Sequence, residues 1–165
     1  MKRQIHLAVI TVLAVAMLVA CSRSSVTAHI AVAEVQGDNA PAVEAVAADF
    51  DLHAAKGPQG LVTVKVPLTL RLKRSLPTGR PSATPTLMLL DGEGQPLCYA
   101  QLDDDCRERL VSFLNDAEGG QQQFTFTAVM RREDFPKLAN AVALRLTGFS
   151  FILSPDRALA EPDRV

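Results

Sequence analysis

Val62-Thr63-Val64-Lys65-Val66-Pro67-Leu68-Thr69-Leu70-Arg71-Leu72-Lys73 decides the fold class. Val62, Val64, Val66, Leu68, Leu70 and Leu72 take every second position, and Thr63, Lys65, Pro67, Thr69, Arg71 and Lys73 fill the places between. Successive side chains of an extended chain point to opposite faces, so this order specifies a long strand with one face for a core and one for water or a partner. Pro67 has no N–H to give to a ladder, which places it at an edge, a bulge or a bend. The run therefore reads as one bent strand that serves two sheets.

Working towards the N-terminus, Lys56-Gly57-Pro58-Gln59-Gly60 is a turn. Residues 43–55 form a strand with Val46, Ala48, Phe50 and Leu52 inward and Asp49, Asp51 and His53 outward. Gly37 to Pro41 supplies another turn, and Val26 to Val35 an earlier strand. Towards the C-terminus, 74–85 holds three prolines and a glycine and reads as a mobile, locally basic loop. Residues 86–90 and 97–102 form a hairpin around Asp91-Gly92-Glu93-Gly94-Gln95-Pro96, and Asp103-Asp104-Asp105 makes the next corner. Residues 107–115 are ambiguous: Leu110, Phe113 and Leu114 suit a helical face, Val111 and Phe113 a strand, and the surrounding strands favour a strand. Residues 118–122 are a turn, and 123–132 a strand with Phe124, Phe126, Ala128 and Met130 on one side. One or two helical turns follow near 133–140, then a strand through Val142, Leu144 and Leu146 with Arg145 outward, broken at Gly148 and resumed over 149–153. Seven to eight short strands joined by Gly, Pro and Asp turns predict an all-β domain over 26–153. The expected form is a single β-sandwich of immunoglobulin-like or transthyretin-like topology, with a small closed barrel as the alternative. Residues 154–165 read as a polar, flexible tail.

The N-terminus has a different character. Met1-Lys2-Arg3 precedes an apolar stretch from Ile5 to Val19, and Leu18-Val19-Ala20-Cys21 closes it with a small residue directly before a cysteine. A spanning helix needs about 20 predominantly apolar residues, so this run is better suited to a cleaved signal. Leu18, Ala20 and Cys21 resemble the lipobox of the bacterial lipoprotein signal family. That resemblance implies removal of residues 1–20, a diacylglyceryl group on the thiol of Cys21, fatty acylation of the new amino group, and residues 21–25 as a lipidated spacer. It also implies an anchor facing the periplasm. Ser22 stands where an aspartate commonly signals retention in the inner membrane, which favours the outer membrane.

Removing residues 1–20 leaves 145 residues, enough for one domain with one core, carrying 15 Lys+Arg against 18 Asp+Glu. A chain with a net charge of −3 and no basic block is a poor fit to nucleic acid. Lipidation of Cys21 leaves Cys98 and Cys106, eight positions apart in an oxidising compartment, where a structural disulfide is expected to stabilise by roughly 2 to 3 kcal/mol.

No pattern for catalysis emerges. GxSxG and HExxH are absent, and one Tyr with no Trp leaves a sugar-stacking cleft without its platform. His29 and His53 would meet only if their strands paired, and neither has further ligands spaced around it. The acids of the 91–93 and 103–105 corners do not follow a calcium-loop spacing. Met88 and Met130 fall in core-facing patterns. No catalytic residue, metal or cofactor is expected. The positive clue is a basic patch of Arg71, Lys73, Arg74 and Arg80, suited to anionic headgroups or an acidic partner. The expected function is protein binding by a lipid-anchored accessory or assembly factor of a cell-envelope or secretion complex. A periplasmic inhibitor or small-ligand carrier is the alternative, and a hydrolase ranks below both.

Overall fold

The computed structural model describes residues 25–37, 40–73, 79–81, 85–115, 120–149 and 151–153. The expected signal segment over 1–20, Cys21, Arg74, most of the proline-rich loop and the tail from 154 lie outside the described residues. The strands are β1 Ser25–His29, β2 Val32–Val35, β3 Val43–Ala45, β4 Asp49–Lys56, β5 Leu61–Leu72, β6 Gly79–Pro81, β7 Thr86–Leu90, β8 Pro96–Leu102, β9 Gly120–Arg131, β10 Ala143–Thr147 and β11 Phe151–Leu153. One α-helix, α1, spans Asp104–Leu114, and a 3-10 helix spans Phe135–Asn140. The fold is all-β, as the alternation requires.

Nine strands join in one sheet, ordered β1-β4-β5-β9-β8-β7-β10-β2, with β3 also paired to β5; β6 and β11 form a separate two-stranded ribbon. The two ends of that path are consecutive in the chain. β1 lies antiparallel to β4, and β2 lies parallel to β10. At the joint, Ile30 N–H donates to Ala48 C=O (3.4 Å) and Ala31 N–H to Val142 C=O (2.8 Å). One short segment thus bonds first to one end of the sheet and then to the other, which curls the sheet round its apolar face. A single curled sheet of this kind stands between the sandwich and the barrel.

β5 lies at the centre of the curl, not at its edge. All twelve of its residues pair with β9, from Leu61 opposite Arg131 to Leu72 opposite Gly120. On its other side it meets β3 from Leu72 to Leu70 and β4 from Val64 to Val62. Between Ala45 and Ala54 the partner strand takes nine steps while β5 takes six, so three extra residues bulge out. Thr69 C=O accepts from Val46 N–H on this side (2.9 Å). Pro67, two residues along, therefore turns its missing N–H towards the bulge, where no ladder bond is lost. The bulge also corrects the inward set read from sequence. Val43 and Ala45 are buried, then Phe50 and Leu52, whereas Val46 is half-buried and Ala48 exposed.

The largest correction is α1, which replaces the strand expected over 107–115. In a strand Leu110 and Phe113 would face opposite ways. In a helix Cys106, Leu110, Phe113 and Leu114 share one face, and all four are buried. Asp104 and Asp105 in its first turn complement the positive end of the helix dipole. The Phe113 ring meets Phe124 edge to face at 5.5 Å, and Arg109 lies 5.8 Å from the centre of the Phe124 ring while donating from Nη2 to Gln123 C=O (3.1 Å). α1 leaves the C-terminal end of β8 and closes one end of the curl. The Phe135–Asn140 helix leaves the C-terminal end of β9, packs Phe135 and Leu138 into the core against β1 and β8, and closes the other. β9 also begins earlier than expected, at Gly120, inside the stretch read as a turn.

Candidate interaction surface

The interior of the curl is lined by apolar side chains. Among the described residues no polar or charged side chain is buried, and no group of His, Cys, Asp and Glu could hold a metal ion. The polar and charged side chains of the described residues therefore lie on the outer face.

Across that face the registers align one row. Arg145 on β10 stands opposite Glu34 on one side and Met88 on the other, Met88 opposite Tyr99, and Val129 opposite Thr63. β8 and β9 pair Ala100 with Ala128, which puts Tyr99 and Val129 side by side one step further along. The exposure of Tyr99 is 59% and of Val129 63%, with Met88 half-buried beside them. At the β2 margin Val32 (59%) adds a further exposed apolar residue, next to Val142. The row ends on an ion pair: Arg145 Nε lies 2.9 Å from Glu34 Oε2, and Gln36 Nε2 donates to Glu34 Oε1 (2.8 Å). The Gln36 amide first, and the Arg145 guanidinium second, hold the Glu34 carboxyl below its ordinary pKa.

Sequence reasoning missed this strip and assigned Met88 to the core, although Leu87 and Leu89 take the inward positions. The signal was present as apolar residues in polar phase. Val129 follows Thr125 and Thr127 on the outward side of β9, and Tyr99 precedes Gln101 on β8.

The residues singled out from sequence have structural partners. His29 and His53 lie on paired strands but at opposite ends of the ladder, His29 opposite Asp49 and His53 opposite Ser25. His29 Nδ1 is 3.0 Å from Asp49 Oδ1, and Thr27 Oγ1 donates to Asp51 Oδ1 (2.7 Å), giving an exposed polar ladder. Asp91 Oδ1 accepts from the backbone N–H of Glu93 (2.9 Å) and Gln95 (2.8 Å), so this carboxylate organises the β7–β8 turn. Asp103 accepts from Thr127 Oγ1 (2.5 Å) and faces Lys65 Nζ (3.7 Å), fixing the start of α1 to the sheet.

Of the expected basic patch, Arg74 lies outside the described residues. Arg71 Nη1 and Lys73 Nζ both turn to Glu44 Oε2, at 3.7 and 3.6 Å, which offsets their charge. Arg80 lies in β6, opposite Ile152. Cys98 and Cys106 are both buried and both free thiols, without the expected disulfide. Cys98 lies four residues before the end of β8, a span of about 13 Å. Cys106 lies in the first turn of α1, and that helix packs towards Phe124, beyond the point where Leu102 faces Phe126. The two cysteines thus belong to different ends of the core, and a disulfide needs Cα atoms within about 7 Å. Burial pushes the Cys98 thiol pKa up to about 11.

The chain matches no protein-family model, no curated protein and no solved structure at a significant level.

Proposed function

We propose that this chain is a lipid-anchored bacterial envelope protein that acts by binding another protein, as an accessory or assembly factor of an envelope or secretion complex. The observation that carries this reading is the exposed Tyr99–Val129 strip with Met88 beside it. A soluble domain gains nothing in stability from leaving such side chains in water, and aromatic residues and methionine are enriched where proteins meet. The strip lies on regular strands, so a partner finds it already in shape and little ordering entropy opposes binding. Arg145 and Glu34 supply a polar rim at one side.

The anchoring half of the reading rests on Leu18-Val19-Ala20-Cys21, with palmitate or a related acyl chain on Cys21 and Ser22 directing the protein to the outer membrane. Two or more acyl chains hold a protein on a bilayer where one does so only marginally. Radiolabelled palmitate should enter the wild-type protein and be absent from Cys21→Ser, which should accumulate as precursor. Normal labelling of that variant overturns the anchor.

A further inference from the structure

We infer that the domain is seated end-on at the bilayer, with the end closed by the Phe135–Asn140 helix against the lipid headgroups and the α1 end pointing away. The inference rests on the lipid anchor at Cys21 and deepens it. Only Ser22, Arg23 and Ser24 separate Cys21 from Ser25, the first residue of β1. Four backbone steps reach at most about 14 Å, so Ser25 cannot stand further than that from the acylated residue.

The registers identify what lies beside Ser25. His53 stands opposite it, and β4 ends three residues later at Lys56. The Gly57–Gly60 turn leads into Leu61, which faces Arg131, and Arg132 N–H donates to Gly60 C=O (3.1 Å). The Phe135–Asn140 helix follows directly and packs on β1. Among the described residues, Lys56, Arg131, Arg132 and Lys137 are cations of this end, and Arg23 lies in the tether itself. Arg131 pairs with Glu133 (3.4 Å) and Lys137 with Asp134 (2.7 Å). The β7–β8 turn adds Asp91, engaged by its own backbone, and Glu93. Charge among the described residues of this end is balanced, so the short tether sets the seating, with Lys56 and Arg132 exposed for headgroup phosphates.

The opposite end is remote. β5 runs twelve residues from Leu61 to Leu72, and a strand of that length, tilted as in a curled sheet, rises about 30 Å. Arg71 and Lys73, the cations that sequence reading offered to lipid, stand at this far end beside Gln121 of β9. Val129, by contrast, lies two residues from Arg131 on β9, so the apolar strip is held in the half of the domain nearer the membrane. The partner that fits it is therefore an envelope protein presenting its own surface close to the same bilayer.

The test uses the full lipidated protein, reconstituted into vesicles of phosphatidylethanolamine and phosphatidylglycerol that contain a headgroup spin-labelled lipid. A fluorophore is placed at Lys56→Cys or at Gln121→Cys; both positions are exposed, while Cys98 and Cys106 are buried. Strong quenching at position 56 and little at 121 is expected. A flexible insert of twenty residues after Ser24, with a mean reach of about 25 Å, should abolish the difference. Equal quenching at the two positions, or stronger quenching at 121, in protein whose Cys21 carries lipid by mass spectrometry overturns the seating alone. An unmodified Cys21 overturns the anchor and the seating together. Quenching at 56 that persists with the long insert overturns the tether as its cause.

Discussion

Tyr99 and Val129 stand side by side on neighbouring strands of the outer face, each with more than half of its side chain in water. Neither is needed to fill the core. Replacing Tyr99 with Asp should therefore cost no more than about 1–2 kcal/mol, from strand propensity and the cross-strand contacts with Met88 and Val129, while abolishing partner binding. Urea unfolding measures the first quantity. A large loss of stability would mean that Tyr99 serves packing and not recognition.

Cys98 and Cys106 give a chemical test of the core. A maleimide reagent should label neither in the folded protein and both after unfolding without reductant, because both are buried free thiols. Since burial raises the Cys98 pKa to about 11, its neutral-form contribution to stability is complete below the ordinary thiol value of about 8.5 and is lost as pH rises through about 11. Oxidised protein that gains two thiols only on reduction would restore the disulfide.

The docking of α1 should separate packing from polar contact. Phe113→Ala removes a buried ring that meets Phe124 and should cost about 3–5 kcal/mol. Arg109→Ala loses the Phe124 face and the bond to Gln123 C=O, partly in solvent, and should cost about 1–2 kcal/mol. Denaturant titration reads both, and a reversed order would contradict the packing given to the helix.

Glu34 supplies a pH dependence of known sign. Its pKa is lowered in the fold, so its contribution is present above the ordinary carboxylate value of about 4.3 and is lost as pH falls through the lowered value. The Arg145–Glu34 pair is substantially exposed, which limits it to about 1 kcal/mol or less. Glu34→Gln should remove this acid-side slope from a stability profile, lowering stability near neutral pH by about 1 kcal/mol or less and leaving it little changed at acid pH, where the wild-type carboxyl is already protonated. An unaltered slope would place the titration elsewhere.

Much of the sheet was legible because its strands carry strict alternation on a one-sided core. β5, the β7–β8 hairpin and most of β9 follow directly from apolar residues two apart. The failures share a physical cause, which is that partner choice is not local. Leu110, Phe113 and Leu114 marked a helix, but neighbouring strands outweighed the periodicity. The bulge at 46–48 answers Pro67 on another strand and cannot be read from 43–55 alone. Even spacing of Cys98 and Cys106 said nothing of the direction in which α1 leaves β8. The outer strip was legible in principle, as Val129 and Tyr99 occupy positions that alternation reserves for polar residues, but only pairing across β8 and β9 brings them together.

The most direct test of a protein-binding role through this face is site-specific photocrosslinking in intact cells. A photoreactive amino acid at Val129 is compared with the same group at Asp51, which lies on the polar ladder of β1 and β4. The account predicts a discrete adduct from position 129 that disappears when Tyr99→Asp is added, and none from position 51. No adduct from 129, or the same adducts from both positions regardless of Tyr99, would contradict it.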